Sequence, residues 1–151
     1  MSLEHKYCIK NMLVYTSQKI PAQPPELEYG NTEYKIFLSP NFRKKFRKNQ
    51  ELQQLYFQNY IQNKSTQMLF RLLEGQGKAL YLLGIEDNGK VRGMNPEEMK
   101  LSIKNIKLMA QQIGAVIKII RVYEGGIGKV CTVRIYLPED VYLQKVKNSI
   151  V

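Results

Sequence analysis

Apolar positions in the second half of this chain follow two rhythms, one helical and one extended. Met99, Ile103, Ile106, Ala110 and Ile113 recur at steps of three and four, which predicts one buried face of a helix over 96–113. Asn95-Pro96-Glu97-Glu98 supplies its start, with an N-cap, a proline at the first helical position and a carboxylate at the third. Gly114 supplies its stop. Upstream, an apolar run at 79–85 and a short segment at 90–94 flank Asp87-Asn88-Gly89. An Asx-Gly pair between such runs is a strong hairpin signal, so a central hairpin is expected over 79–94. Downstream, 115–123 and 130–137 are rich in β-branched residues and read as strands joined by Glu124-Gly125-Gly126-Ile127-Gly128.

The first half is less regular. Residues 1–19 mix apolar and basic side chains and read as an edge strand over 8–15 or as an arm. Residues 20–28 hold three prolines and fit an extended connector, not a helix or central strand. Residues 33–38 alternate as a strand, ended by Ser39-Pro40. Leu52, Leu55, Tyr56, Phe57, Tyr60 and Ile61 form a helical stripe after a basic run at 42–48. A second helix over 65–74 is expected to bury Met68, Leu69, Leu72 and Leu73 and to stop at Gly75 or Gly77. The resulting order, β-α-α-β-β-α-β-β, predicts an α/β (α+β) fold, a mixed sheet with helices packed mainly on one face. The division expected is an arm and connector at 1–27, an α/β domain at 28–138 with a basic insertion at 40–62, and a short helix or tail at 139–151.

Charge sharpens this picture. Lys and Arg number 23 against 13 acids, a net charge of +10, which is the footprint of a polyanionic partner. The surplus is concentrated: no acid occurs from Tyr34 to Gln50, where Lys35, Arg43, Lys44, Lys45, Arg47 and Lys48 lie. None occurs from Met99 to Tyr123, which holds Lys100, Lys104, Lys107, Lys118 and Arg121. Lys100, Lys104 and Lys107 repeat at helical spacing and predict a basic stripe on a face away from the core.

Other chemistries fit poorly. The sequence Gly125-Gly126-Ile127-Gly128-Lys129 lacks the glycine spacing and the hydroxyl residue of a phosphate-binding P-loop and reads as a hairpin loop. Cys8, Cys131 and the single His5 are too few for a zinc centre and read as two free thiols and an arm histidine. No apolar run approaches the roughly 20 residues of a membrane span, and residues 1–15 lack a signal-peptide core. A cytoplasmic monomer without cofactor, metal or bound nucleotide is expected.

Glu28 and Glu33 flank the entry to the first strand and Asp87 sits at the end of the hairpin strand, so three carboxylates would converge if those elements pair. That pattern, E-x4-E-Y-K followed by L-L-G-I-E-D-N-G, resembles the Schlafen-type, AlbA-like domain, some members of which are metal-dependent RNA endonucleases.

A longer likeness runs through EYGNTEYKIFL, TQMLFRLLEGQGKALYLLGIEDNG and EEMKLSIKNIKLMAQQIGAVIKIIR. These segments, in order over 28–123, resemble the N-terminal domain of the GTP-binding protein 1 and 2 family of translational GTPases. The chain carries no switch or guanine-recognition motif, so the resemblance implies a stand-alone domain in a translation context without GTP chemistry. The expectation is therefore a non-enzymatic ribosome-associated factor that binds rRNA and ribosomal proteins. It would occupy a tRNA site and hold ribosomes inactive, as a dormancy factor does. Its contacts would be Arg43, Lys44, Lys45, Arg47 and Lys48, then Lys100, Lys104 and Lys107, with Tyr56 and Tyr60 as stacking candidates. The alternatives are the metal-dependent endonuclease built on Glu28, Glu33 and Asp87, and a module that grips an acidic protein.

Overall fold

The alternating segments assemble into one five-stranded sheet, seen in a computed structural model that describes residues 13–40 and 49–149. The elements are β1 (Leu13–Lys19), β2 (Thr32–Lys35), α1 (Gln50–Glu74), β3 (Lys78–Leu83), α2 (Pro96–Gln112), β4 (Val116–Glu124), β5 (Lys129–Tyr136) and α3 (Glu139–Ser149). The spatial order is β1-β4-β5-β3-β2. Neighbouring inner strands run antiparallel to one another, and each edge strand lies parallel to the inner strand beside it. This is the mixed α/β sheet expected from the sequence.

Alternation along the strands decides which face is covered. Cys131, Val133 and Ile135 of β5, with Tyr81 and Leu83 of β3 and Ile120 and Val122 of β4, meet Met68 and Leu72 of α1 and Ile106 and Met109 of α2 in the main core. A smaller cluster on the opposite face joins Tyr34, Leu82, Ile85 and Val130 to Ile20, Leu80 and Val91. There the covering material is the proline-rich connector and the 85–91 turn, so only part of that face is covered.

Three expectations change. The two helices read before β3 are one continuous helix, α1. Its polar middle does not break it because Ser65 donates to Ile61 O at 2.7 Å and approaches Met109 O at 3.2 Å, while Thr66 donates to Gln62 O at 3.1 Å. Ser65 is buried where the two helices meet, a place for a small side chain whose hydroxyl finds its own partners.

The strand read over 33–38 is only β2, because the next residues are held by a helix. Leu38 N donates to Ser102 Oγ at 2.8 Å and Leu38 O accepts from Asn105 Nδ2 at 2.7 Å. The hairpin over 79–94 keeps its turn but not its second strand. Both edges of β3 are already taken by β5 and β2, so 90–94 makes only single bridges, Ile85 with Val91 and Met94 with Lys129. The turn itself forms as read: Asn88 Oδ1 accepts from Lys90 N at 2.9 Å and Gly89 has φ +89°.

Gly89 also meets the connector. A β-carbon there would run into the backbone carbonyls of Gln23 and Pro24, and Glu26 N donates to Asp87 O at 2.7 Å beside it. Gly89→Ala is thus expected to cost at least the ~1–2 kcal/mol of a left-handed L-residue and to speed proteolysis within 20–28. Urea denaturation and limited proteolysis read both effects; wild-type behaviour in both would contradict this packing.

Candidate nucleic-acid interface

Helix α2 begins at a reciprocal cap: Asn95 Oδ1 accepts from Glu98 N at 2.8 Å, and Glu98 Oε1 accepts from Asn95 N at 3.1 Å. Its buried face is rotated from the expected one. Ile106 and Ala110 are buried as read, but the other buried positions are Ser102, Asn105 and Met109. Ser102 and Asn105 face inward because they carry the hydrogen bonds to Leu38. Met99, Ile103 and Ile113 are only partly buried.

That rotation creates the site. Leu13 and Tyr15 of β1 lie in register with Ile120 and Val122, on the helix side of the sheet. Together with Met99, Ile103 and Leu108 they form the apolar floor of an open groove of about 520 Å³ between β1 and α2. Lys100, Lys104 and Lys107 rim it. All three are exposed, and none forms an ion pair among the described residues. Tyr15, 65% exposed, offers an aromatic face beside them. The arrangement can bind phosphates at its rim and stack an unpaired base on its floor. Lys100, Lys104 and Lys107, a stripe expected from their spacing, line this groove, whereas Tyr15 carries little sequence signal because it lies in an arm of mixed composition.

Lys104 also borders a second cleft with Phe37, Ser39, Pro40 and Phe57. Ser39 and Pro40 lead into residues 41–48, so Arg43, Lys44, Lys45, Arg47 and Lys48 lie outside the described residues. Asn49 caps α1 on the far side, accepting from Leu52 N at 3.1 Å. Tyr60 packs partly against the core, and burial pushes its hydroxyl up to about 12, with Lys64 Nζ 5.7 Å from its ring centre. Tyr56 is the more exposed of the pair. Lys118 and Arg121, neighbours of the stripe in sequence, are exposed on strand β4 instead.

The carboxylates of the metal reading are not gathered into one site. Glu28 and Asp87 are exposed. Glu33 is buried, and its Oε2 accepts from Arg71 Nε at 2.7 Å while Lys35 Nζ lies 3.3 Å from Oε1. Arg71 itself, on α1, donates to Gly30 O at 3.1 Å and Leu27 O at 2.9 Å. The carboxylate beside this pair is Glu26, not Glu28: it accepts from Tyr34 N and lies 4.0 Å from Arg71 Nη2. Among the described residues no group of three or more His, Cys, Asp or Glu side chains is placed to hold a metal ion. Cys131 is buried in the core as a free thiol, with burial pushing it up to about 12. Residues 125–128 connect β4 to β5 as a hairpin loop, with Gly125 N donating to Gly128 O at 2.9 Å. Among the described residues no helix is long and apolar enough to cross a membrane.

The chain is 40% identical over 102 residues to GTP-binding protein 2 of Mus musculus and to GTP-binding protein 2 of Homo sapiens. The match takes in 67% of this chain but 14% of each relative, so the chain spans a small part of their length. No family model matches. The similarity supports a link between this α/β unit and the GTP-binding protein 2 family.

Two outcomes follow from the Arg71 cluster. Arg71→Met strips a buried carboxylate of its guanidinium and is expected to cost about 3–5 kcal/mol, with Arg71→Met/Glu33→Leu regaining part of it. Equal urea midpoints for wild type and single variant would contradict that role. Desolvation is the largest influence on Glu26 and raises it above the ordinary 4.5, ahead of the opposing Tyr34 amide. The folded chain therefore holds this proton to higher pH than the unfolded chain. Its contribution is full below the unfolded value and is lost as pH rises through the raised folded value. Glu26→Gln, neutral throughout, should abolish that decline. Stability profiles of wild type and variant that run parallel from acid to neutral pH would contradict it.

Proposed function

We propose that this chain is a non-enzymatic, ribosome-associated factor that binds rRNA through the β1–α2 groove and the basic residues 43–48. Its contacts would extend to ribosomal proteins around a tRNA site, and occupancy of that site would hold the ribosome inactive. The observation that carries the reading is the groove itself: three exposed lysines, without ion pairs among the described residues, around an apolar floor that ends in Tyr15. Lysine rims hold phosphates without reading sequence, and an exposed tyrosine takes a base that is already unpaired. The translational context comes from the likeness to GTP-binding protein 2 and the family resemblance described above. Residues 43–48 add five cations that the neighbouring sequence does not neutralise.

Binding of this kind is salt-sensitive because each phosphate contact releases condensed counterions. Sucrose-gradient sedimentation of the full chain with ribosomes across a salt series tests it. Wild type is expected to co-sediment at low salt and to release steeply as salt rises. Lys100→Ala/Lys104→Ala/Lys107→Ala and Lys44→Ala/Lys45→Ala/Arg47→Ala should each shallow the slope of log K against log salt by roughly two to three units, at about 0.9 per duplex contact. Occupied ribosomes should fail to translate a reporter message. A folded triple variant that co-sediments like wild type at every salt concentration removes its block from the interface; if both do, the reading fails.

A further inference from the structure

The sheet face away from α1 and α2 is covered over only part of its area. The connector and the 85–91 turn close it around Tyr34, Leu82 and Val130. Toward the Lys78 end of β3 it stays open as a cleft of about 800 Å³ spanning β3, β5 and β4. Cross-strand register defines its floor: Leu80 lies opposite Arg134 and Arg134 opposite Ile119, while Lys78 lies opposite Tyr136 and Tyr136 opposite Val116. Lys118, at the irregularity in β4, lines the same cleft. Tyr142 of α3 lines it too, close enough that a β-carbon on Gly77 would touch its ring at 3.6 Å.

Lys78, Lys118 and Arg134 are exposed and form no ion pair among the described residues, and Glu139 is the acid that lines the cleft with them. Arg121 extends the positive surface one row further, opposite Thr132 and Val14. Cations thus alternate with apolar and aromatic side chains on strands roughly 4.8 Å apart. A duplex would bring only phosphates to such a floor and leave Leu80, Ile119 and Tyr136 uncovered. An unpaired strand brings both phosphates for the cations and base faces for the rows between them.

We infer that this cleft is a second nucleic-acid site that binds a single-stranded RNA segment on the sheet face opposite the β1–α2 groove. Arg134 and Lys118 hold phosphates, and Tyr136 supplies the stacking surface. The choice of RNA rests on the ribosomal reading above, and the chain would then sit between two RNA elements, one on each side of its sheet.

The test is fluorescence anisotropy of the full chain with a labelled oligouridylate, with an RNA duplex, and with polyglutamate as competitor. It needs no ribosome, so it succeeds or fails independently of co-sedimentation. Lys118→Ala/Arg134→Ala is expected to weaken oligouridylate binding by about tenfold and to shallow its salt slope by about 1.4 units, at about 0.7 per single-strand contact, with duplex affinity unchanged. Lys100→Ala/Lys104→Ala/Lys107→Ala should leave that oligouridylate increment in place. No loss in the double variant, equal loss for duplex and single strand, or displacement by polyglutamate at matched charge would each overturn the site. Photocrosslinking a thiouridine-substituted oligonucleotide to wild type covers the case of a misfolded variant. Adducts in the peptides of β3 and β5 support the site, and adducts confined to α2 overturn it.

Discussion

Arg71 is almost wholly buried, and its three nitrogens tie α1 to two other stretches of chain, β2 and the end of the connector. The guanidinium binds Glu33 on β2 and the carbonyls of Leu27 and Gly30 at the end of the connector. A buried cation needs full hydrogen bonding to remain charged, so α1, β2 and the connector form together or not at all. The same stretch carries Glu26, which takes the amide of Tyr34, and Tyr34 in turn donates from its hydroxyl to Pro24 O at 2.9 Å. The proline-rich segment is thereby fixed across part of the sheet as a cover.

That cover sets the shape of both surfaces. Helices shield one face of the sheet, and the connector shields only part of the other. The second acid-free block is split by this architecture: Lys100, Lys104 and Lys107 sit on the outer side of the helical layer, while Lys118 and Arg121 project from β4 on the far side. A basic surplus that is continuous in sequence becomes two surfaces in space, and each has apolar or aromatic residues between its cations. A merely solvated charged face would not need that pairing.

Local signals carried the mixed sheet, the α2 start and the Asn88-Gly89 turn into the sequence reading, because each is decided by residues within a few positions of one another. What escaped was decided at long range. Ser65 looked like a helix break until Met109 O lay 3.2 Å away as a second partner. Ser102 and Asn105 lay outside the expected apolar face of α2, and their bonds to the Leu38 backbone turn them inward and expose Met99 and Ile103 to the groove. Glu33 read as a metal ligand because nothing near it in sequence announces Arg71, which lies 38 residues further on. Tyr15 gains meaning only from the parallel pairing of β1 with β4.

Engagement of a polyanion by both faces of the sheet, as proposed above, is tested by lysine reactivity. Acetylation rates of individual lysines would be measured in the free chain and in its complex with ribosomes. Protection of Lys100, Lys104 and Lys107 together with Lys78 and Lys118, while Lys90 and Lys147 react as before, is the predicted result. Equal rates for the first five lysines in the free and bound states would contradict it.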